Sequence, residues 1–444
     1  MNHRLPVNGS ATTADVVIVG AGVIGAAVAF ELSGRGYRTL NVDALPASGY
    51  GPTSACCGIV RTTYSTWDGA AMAFESCSYW QNWAEYLEAH PDELLAPYTE
   101  CGSVVLPDHG DHYRRVRELH RRLKIPHEEW DVDQIRRELP FLALGMFGPP
   151  RRPDDPDFWA EPSGEIQAAL RIEGTGYVSD PQLATRNLQN AAERHGARFR
   201  FATAVAGVRK SGGRVQGVTV SSGEQIHAPV VVNVAGPYSD VINRLAGVTG
   251  GMQIRTRPLR HEVHHVPAPG SAKPNGERMH ISDGDLGIYF RSESGNNILV
   301  GSEDPPCDAK EWVKDPDDYR TTVSQGQWET QVYRLAKRLP GLRIPTAPRG
   351  VASLYDVSDD WIPIYDRSDL DGFYMAVGTS GNQFKNAPVV GAAMAELIDR
   401  VEHGHDHDRD PVRLETRYKN LELNLGFYSR LRELNPDSSY SVNG

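Results

Sequence analysis

The clearest pattern near the start of the chain is a continuous apolar run, DVVIV at residues 15–19, which predicts a buried strand. Small and apolar residues then follow in a helix-like pattern over residues 26–38, and a second apolar run, TLNVD, occupies residues 39–43. The turn after the first run is rich in glycine. Together these stretches predict a strand, a tight turn, a helix and a second strand.

The same mixture of helix and strand returns twice further along the chain. Residues 183–196 predict a helix, and three strand-like stretches follow it before residue 238. Residues 372–378 predict another buried strand, which leads into a helix over residues 389–401. These blocks are typical of an α/β domain whose segments are separated in the sequence.

The segments between these blocks have a different texture. Residues 89–165 are rich in proline, aspartate, arginine and tryptophan, and residues 251–349 combine short alternating strands with proline-rich loops. We therefore expect a second, sheet-containing domain that is inserted twice into the first. The polar residues 405–444 are expected to wrap the surface as a C-terminal extension.

Composition narrows the possible partners. The chain has 444 residues and a formal net charge of -11, without a dense run of lysine and arginine, which argues against nucleic acid and anionic membranes as partners. It contains no apolar stretch of about 18 residues that could span a bilayer, and its start lacks an apolar signal segment. We therefore expect a cytoplasmic protein. Five scattered cysteines without metal-ligand spacing make disulfides improbable.

The glycine-rich turn carries the pattern GxGxxG at Gly20, Gly22 and Gly25, after the first strand and before the helix. The first glycine permits a tight turn, the second lets a pyrophosphate approach the backbone, and the third lets helix and strand pack closely. Asp43 ends the second strand, where a carboxylate accepts hydrogen bonds from a ribose. The pattern predicts a dinucleotide site but does not separate FAD from NAD.

Four segments resemble successive signatures of one family: residues 15–43, GPTSACCGIVRTTY at 51–64, VVVNVAGPYSD at 230–240 and VGTSGNQFKNAPVVGAAMAELI at 377–398. They are similar to the superfamily of D-amino-acid oxidase, glycine oxidase and sarcosine oxidase, and most of all to its sarcosine-oxidase-like amine oxidoreductases. The inserted segments match that family only in their layout.

The resemblance implies an α/β (α+β) fold in which a discontinuous Rossmann-like FAD-binding domain carries an inserted substrate domain with a mixed or antiparallel sheet. The expected boundaries are 1–88, 166–250 and 350–404 for the FAD-binding domain, 89–165 and 251–349 for the substrate domain, and 405–444 for the C-terminal extension.

The resemblance also implies which residues bind FAD. Gly236 is expected near the cofactor, and the amides around Gly381 and Asn382 precede a helix whose positive end favours negative charge on the flavin. Glycines at these places are also common in any loop between a strand and a helix. The expected FAD-binding residues are Gly20, Gly22, Val23, Ile24, Gly25, Asp43, Ala44, Thr53, Ser54, Gly58, Val205, Ala235, Gly236, Gly378, Gly381, Asn382, Gln383 and Phe384.

Two positive side chains match family positions that hold the substrate carboxylate, Arg61 and Lys385. Arg61 follows an apolar pair, so its charge is expected to be buried and to need an anionic partner. The alternative for Arg61 is a structural ion pair with an acidic residue.

Three further residues are candidates for the substrate pocket. Tyr64 matches a family position that lines the pocket, and Tyr289 lies in a predicted strand, although half-buried tyrosines are also common core residues. Glu303 ends the strand NILVGSE, and if it faces the pocket it can pair with a cationic amine. An exposed carboxylate at the end of the strand is the more frequent outcome.

Two departures from the family pattern carry expectations of their own. Some relatives tether the flavin through a cysteine at the position of Ser353, so we expect non-covalent FAD here. Relatives that react quickly with oxygen carry a lysine at the position of Leu299, which leaves oxidase or dehydrogenase open and admits a protein or quinone electron acceptor.

No metal is expected. HEVHH at residues 261–265 matches the text of a zinc-protease motif, but its neighbouring prolines and alternating pattern predict a strand, in which the outer histidines lie roughly 13 Å apart. The histidines at 403, 405 and 407 are expected in a solvated loop. Adjacent Cys56 and Cys57 lack an evident partner base for nucleophilic chemistry.

The sequence thus predicts an FAD-dependent enzyme that oxidises a C–N bond of a secondary or tertiary amino acid or related amine to an imine. Three alternatives stay open. They are a relative of the same fold that acts on a D-amino acid or hydroxy acid, a non-catalytic or electron-transferring subunit of a larger complex, and an NAD-dependent dehydrogenase, which fits the later motifs least well.

Overall fold

A computed structural model describes residues 12–270 and 280–444. Its centre is a six-stranded sheet in which five neighbouring strands are parallel and the sixth is antiparallel at one edge. In spatial order the strands are Arg198–Arg200, Thr39–Val42, Val16–Val19, Val230–Asn233, Phe373–Val377 and Ile364–Arg367. The strand VVIV is buried along its whole length, as its continuous apolar run predicts.

The two faces of this sheet are covered by different layers. Val16 and Ile18 point into a core shared with helices of one face, whereas Val17 and Val19 point into a core shared with a smaller sheet on the other. The covering helices are Val23–Gly34, Pro181–Arg194 and Ala387–Glu402. The smaller sheet consists of Thr12–Thr13, Gln225–His227, Arg214–Val220 and Val205–Ser211.

A nine-stranded mixed sheet forms the second part of the molecule. Its strands are Glu311–Trp312, Thr256–Pro267, Asn297–Ser302, Ile288–Glu293, His280–Asp283, Ser103–Leu106, Ala168–Ile172 and His127–Asp131, with Gly350–Ser358 paired to the second of them. Neighbouring strands of this sheet run antiparallel, except that His280–Asp283 runs parallel to Ser103–Leu106. Helix Gln325–Arg338 packs against one face through Trp328, Val332 and Leu335.

Smaller elements join the two sheets. The three-stranded sheet contains Ile59–Val60, Gly176–Val178 and Tyr98–Glu100, and two-stranded sheets pair Gly145–Met146 with Gly164–Glu165 and Arg413–Glu415 with Glu422–Asn424. The remaining described α-helices are Trp67–Gln81, Trp83–Tyr86, His112–Leu123, Val132–Glu138 and Ser239–Ala246.

The architecture confirms the predicted fold class. The helix predicted over 183–196 is Pro181–Arg194, and the motif HEVHH lies in a strand as its alternation predicts. Two strands, Ala168–Ile172 and Gly350–Ser358, join the nine-stranded sheet although the expected boundaries place them with the FAD-binding domain. The division into domains stays a proposal. None of the described helices is long and apolar enough to cross a membrane.

Candidate active site

The glycine turn has the close approaches that its pattern requires. Gly20 has a φ of +120°, and a Cβ there would lie 2.6 Å from the Val234 carbonyl oxygen. A Cβ on Gly25 would lie 2.4 Å from the Gly20 carbonyl oxygen, so a side chain at Gly25 would push the helix from the strand. The residue before helix Val23–Gly34 is Gly22, which has no side chain to cap the helix. This open helix end fits the pyrophosphate of a dinucleotide.

Asp43 supports the same turn. Its carboxylate accepts hydrogen bonds from the amides of Ala21 at 2.6 Å and Leu45 at 2.8 Å, and burial raises the pKa of this carboxyl group. Thr53 lies on the other side, where its Oγ1 accepts a hydrogen bond from the Val23 amide at 3.3 Å. The structure therefore brings Asp43 and Thr53 to the ends of the turn at which a nucleotide fits.

Glycines after three neighbouring parallel strands meet at one edge of the central sheet. Gly20, Gly236 and Gly378 follow the ends of their strands with φ values of +120°, +55° and +68°. Ligands of open α/β sheets bind in the crevice at the carboxyl ends of the strands. Ala235 belongs to the same edge, and Gly381 lies in the following loop.

The other expected FAD-binding residues have varied surroundings. Gly58 packs on Val178, whose carbonyl oxygen would lie 2.1 Å from an added Cβ. Ala44 and Ser54 are exposed, and Val205 begins a strand of the smaller sheet. Gln383 turns toward the core, where Tyr365 donates a hydrogen bond to it at 2.9 Å.

A cavity lies between the loops of the central sheet and the nine-stranded sheet. About 80 Å³ of it is free space for water-sized molecules, and the space including its opening to solvent is about 790 Å³. The lining residues that bear on its chemistry are Cys56, Cys57, Arg61, His261, His280, Ser282, Tyr289, Glu303, Ser353, Tyr355, Gly381, Asn382, Phe384, Lys385, Val442 and Asn443.

Arg61 and Lys385 reach the same cavity and are buried, with 8% and 3% exposure. Arg61 donates to Thr63 and to the Val442 carbonyl, and Lys385 Nζ donates to the Asn382 carbonyl at 2.6 Å. Among the described residues, neither forms an ion pair with a carboxylate, so the alternative of a structural ion pair for Arg61 is wrong there. Burial, followed by the Arg61 charge, lowers the pKa of Lys385 well below its ordinary value.

Glu303 lines the cavity rather than lying exposed at the end of its strand. The hydroxyl of Ser282 donates a hydrogen bond to its carboxylate. Burial raises the pKa of Glu303 to about 7, while Ser282 and Arg61 oppose that rise. The cavity therefore holds two basic side chains, neither within ion-pair distance of a described carboxylate, and a carboxyl group that ionises near neutral pH.

The two candidate tyrosines occupy different positions. The Tyr64 ring lies under both cations, 4.9 Å from the Arg61 guanidinium carbon and 4.9 Å from Lys385 Nζ, and its hydroxyl donates to the Asn382 carbonyl at 2.7 Å. Tyr64 therefore lies behind the cavity wall and contacts residues that line the cavity. Tyr289 lines the cavity, with its hydroxyl 3.0 Å from the sulfur of Cys57.

Among the residues of the cavity that sequence reasoning missed are His261, His280 and Tyr355. His261 stacks on Tyr355 with ring centres 4.6 Å apart and lies 3.2 Å from an Asp304 carboxylate oxygen. The alternating pattern of HEVHH could have indicated that His261 faces the cavity, because successive side chains of a strand face opposite sides. Glu262 and His264 pair with each other on the side away from the cavity. Within residues 12–270 and 280–444, no three His, Cys, Asp or Glu side chains are grouped to hold a metal.

The end of the C-terminal extension enters the cavity, which corrects the expectation that residues 405–444 only wrap the surface. Val442 and Asn443 are 6% and 7% exposed and line the cavity. The Ser65 amide donates to the Asn443 carbonyl at 3.2 Å, and Val442 packs with Leu259 and Trp361. These hydrogen bonds satisfy polar backbone that would otherwise be buried without partners.

Comparisons with known proteins agree with this geometry. The profile of the family DAO, described as FAD dependent oxidoreductase, matches residues 15–397. FAD-dependent oxidoreductase domain-containing protein 1 of Bos taurus is 24% identical over 86% of this chain and 81% of its own length. Glycine oxidase of Geobacillus kaustophilus is 25% identical over 88% of this chain and 94% of its own.

The fold is also similar to that of a solved enzyme. The crystal structure of L-proline dehydrogenase from P. horikoshii superposes with a TM-score of 0.73 at 20% identity, covering 95% of this chain and 98% of that one. At this identity the likeness shows the fold alone. Because the family profile spans the nucleotide turn, the strand-end loops and both buried cations, the chain belongs to the DAO family of FAD-dependent oxidoreductases.

Proposed function

We propose that this enzyme oxidises the C–N bond of a secondary or tertiary amino acid, with the substrate carboxylate held by Arg61 and Lys385. The observation that carries the proposal is the pair of buried cations, which face one cavity without a carboxylate partner in the described chain. Burying unpaired charge is costly, and an anionic ligand relieves that cost. The similarity to glycine oxidase supports an amino acid as the substrate.

The side chains of the cavity complement a zwitterion. Arg61 and Lys385 supply donors for the carboxylate, and Glu303, when ionised, attracts the ammonium group. Exclusion of water by the buried walls strengthens these interactions. Bound FAD supplies the redox chemistry by accepting a hydride equivalent from the carbon next to nitrogen, which yields an imine that water hydrolyses.

The expected cofactor residues also belong to this proposal. We propose that the nucleotide half of FAD binds at the Gly20 turn, next to Asp43 and Thr53. The part of FAD nearer the flavin is proposed to bind at the loops that contain Gly236 and Gly378. Ser353 lines the cavity and cannot form a thioether, so we propose non-covalent FAD. Acid precipitation is expected to release the yellow colour into the supernatant.

The carboxylate site is tested by pairing substrates with substitutions. Anaerobic reduction is measured with L-proline and N-methylglycine and with their analogues that lack the carboxylate, pyrrolidine and dimethylamine. Arg61→Ala and Lys385→Met are expected to raise KM for the acids roughly 30-fold or more, because a buried charged contact is lost. The analogues are expected to react poorly with every form of the enzyme.

Lys337→Met is the matched control, because Lys337 packs over the ring of Phe147 instead of lining the cavity. Unchanged KM in both cavity variants would contradict the proposed carboxylate site. Reduction by D-amino acids or hydroxy acids alone would replace the proposed substrate class. Tight FAD binding without reduction by any of these compounds would favour a non-catalytic or electron-transferring subunit.

A further inference from the structure

His280 lines the cavity and has a buried polar atom that the proposed carboxylate contacts do not use. It begins strand His280–Asp283, is 2% exposed and lines the cavity together with Ser282, two residues along the same strand face. Its Nε2 has no hydrogen-bond partner among residues 12–270 and 280–444. A buried polar atom without a hydrogen-bond partner favours the binding of a ligand that forms a hydrogen bond with it.

The hydrogen-bond chain behind His280 determines which ring nitrogen carries the proton. The Thr175 hydroxyl donates its only proton to the Ile172 carbonyl at 3.0 Å. Ser103 Oγ lies 2.8 Å from Thr175 Oγ1 and must therefore donate to it. His280 Nδ1 lies 2.7 Å from Ser103 Oγ, whose proton is already used, so Nδ1–H is the donor in this contact.

The ring is consequently neutral, with a bare lone pair on Nε2. Burial and the positive charges of Arg61, Arg291 and Lys385 lower the pKa of His280 to about 3. Glu303, the carboxyl group of the cavity, is neutral below about pH 7 and gives little opposing stabilisation there. Nε2 therefore accepts hydrogen bonds and does not retain a proton at neutral pH.

We propose that His280 is a specificity-determining residue that favours secondary amino acids, because its Nε2 accepts a hydrogen bond from the N–H of such a substrate. This inference rests on the proposed function and deepens it. Arg61 and Lys385 bind the carboxylate, whereas Nε2 requires a hydrogen-bond donor on the ligand. An ether oxygen in place of N–H brings two lone pairs together and is rejected, because both groups are acceptors.

The test uses two pairs of acids that differ only in N–H versus oxygen. The pairs are L-proline with tetrahydrofuran-2-carboxylate and N-methylglycine with methoxyacetate. Dissociation constants of the oxidised holoenzyme come from anaerobic rapid mixing for the amines and from absorption titration for the ethers. The wild-type enzyme is expected to bind the N–H member of at least one pair about 10-fold or more tightly.

At pH 6, where Glu303 is mostly neutral, His280→Leu is expected to bring that ratio close to one, and His280→Gln to restore part of it, because a carboxamide oxygen can replace Nε2 as acceptor. His265→Gln is the control, because His265 lies in another strand of the same sheet, Thr256–Pro267, and does not line the cavity. An unchanged ratio in both His280 variants overturns the role of His280 alone. Failure of every acid to bind overturns the proposed substrate class as well.

A second measurement does not depend on turnover. With ¹⁵N-labelled histidine, the ring signals that disappear in His280→Gln report the tautomer of His280. We expect a neutral ring protonated at Nδ1 from pH 6 to pH 8. A proton on Nε2, or a doubly protonated ring, overturns the inference even if the binding ratios change.

Discussion

At the scale of single residues, Glu303 gives the cavity its pH dependence. Its pKa lies near 7 because burial disfavours the charged form more than Ser282 and Arg61 favour it, while Asp283 and Asp108 add to the rise. The carboxyl group is therefore neutral below pH 7 and attracts an ammonium group only above it. We expect the dissociation constant of L-proline to fall about tenfold between pH 6 and pH 8.

Glu303→Gln is the matched variant, because it keeps the shape of the side chain and removes the charge. It should bind L-proline with a dissociation constant that changes little over this range. The same raised pKa affects folding. Between pH 4.5 and about 7, Glu303 stays protonated in the folded state but ionises in the unfolded state. Its contribution to the free energy of unfolding is therefore fully present below pH 4.5 and is lost as the pH rises through about 7. A pH profile that persists in Glu303→Gln would assign the titration to another group.

Asp43 links the nucleotide turn to the proposed FAD site. Its carboxylate holds the Ala21 and Leu45 amides, so Asp43→Lys removes these contacts and places a cation beside the turn. We expect FAD affinity to fall at least about tenfold, measured by the flavin absorbance retained per protein after dialysis. Asp15→Lys is the control, because Asp15 pairs with exposed Arg38 before the first strand of the central sheet. Equal flavin content in both variants would remove Asp43 from the site.

At the scale of structural elements, buried ion pairs hold the C-terminal extension on the central sheet. Arg430 donates to Asp366, a fully buried carboxylate, at 3.0 Å and to Asp408 at 2.7 Å. The backbone amide of Arg430 donates to the same Asp366 oxygen at 2.7 Å. Asp366 lies in the edge strand Ile364–Arg367, so this cluster connects the extension to the sheet.

Arg430→Leu is therefore expected to destabilise the protein by about 3–5 kcal/mol, because it leaves Asp366 buried without its charged partner. Denaturant unfolding of the holoenzyme measures this change. Arg413→Leu provides the comparison within the same extension, since its partner Glu422 is half exposed and such pairs contribute less than about 1 kcal/mol. Equal free energies of unfolding for the two variants would show that the extension is held by other contacts.

At the scale of the whole molecule, the strand, turn and helix of the proposed nucleotide site could be predicted from the sequence because each depends on residues that are close together in the chain. The apolar run at Val16–Val19, the glycines after it and Asp43 all lie within one continuous segment. The cavity wall depends on pairings between distant segments. The strand of His280 pairs with the nearby strand Ile288–Glu293 and also with the distant strand Ser103–Leu106, and the second pairing has no local signal in the sequence.

The C-terminal extension was harder to predict for a related reason. Residues 438–444 have no hydrophobic period, and their burial depends on backbone hydrogen bonds such as that between Ser65 and Asn443. The nearby charges were recognised only by resemblance, because the spacing of Arg61 and Lys385 in the sequence does not bring them together. The fold places both beside the ring of Tyr64.

The distribution of charge around the cavity also bears on the electron acceptor. Leu299 is 5% exposed and packs with Val263 and Tyr289, so this position is an apolar contact behind two residues that line the cavity. Glu303 has the opposite sign to the cation that oxygen reduction favours. The basic side chains of Arg61 and Lys385 line the cavity, and the proposed function assigns both to binding the substrate carboxylate.

Oxygen becomes an anion when it takes its first electron, and a fixed cation in a site with little water favours that step. We therefore expect the reduced enzyme to reoxidise in air roughly 100-fold more slowly than substrate reduces it, and to prefer an artificial, protein or quinone acceptor. Leu299→Lys should accelerate reoxidation, whereas Leu299→Met, which preserves the apolar packing, should not. Stopped-flow mixing of amine-reduced enzyme with oxygenated buffer measures these rates. Reoxidation of the wild-type enzyme as fast as its reduction would show that Arg61 or Lys385 serves oxygen as well as the substrate, and that the enzyme is an oxidase.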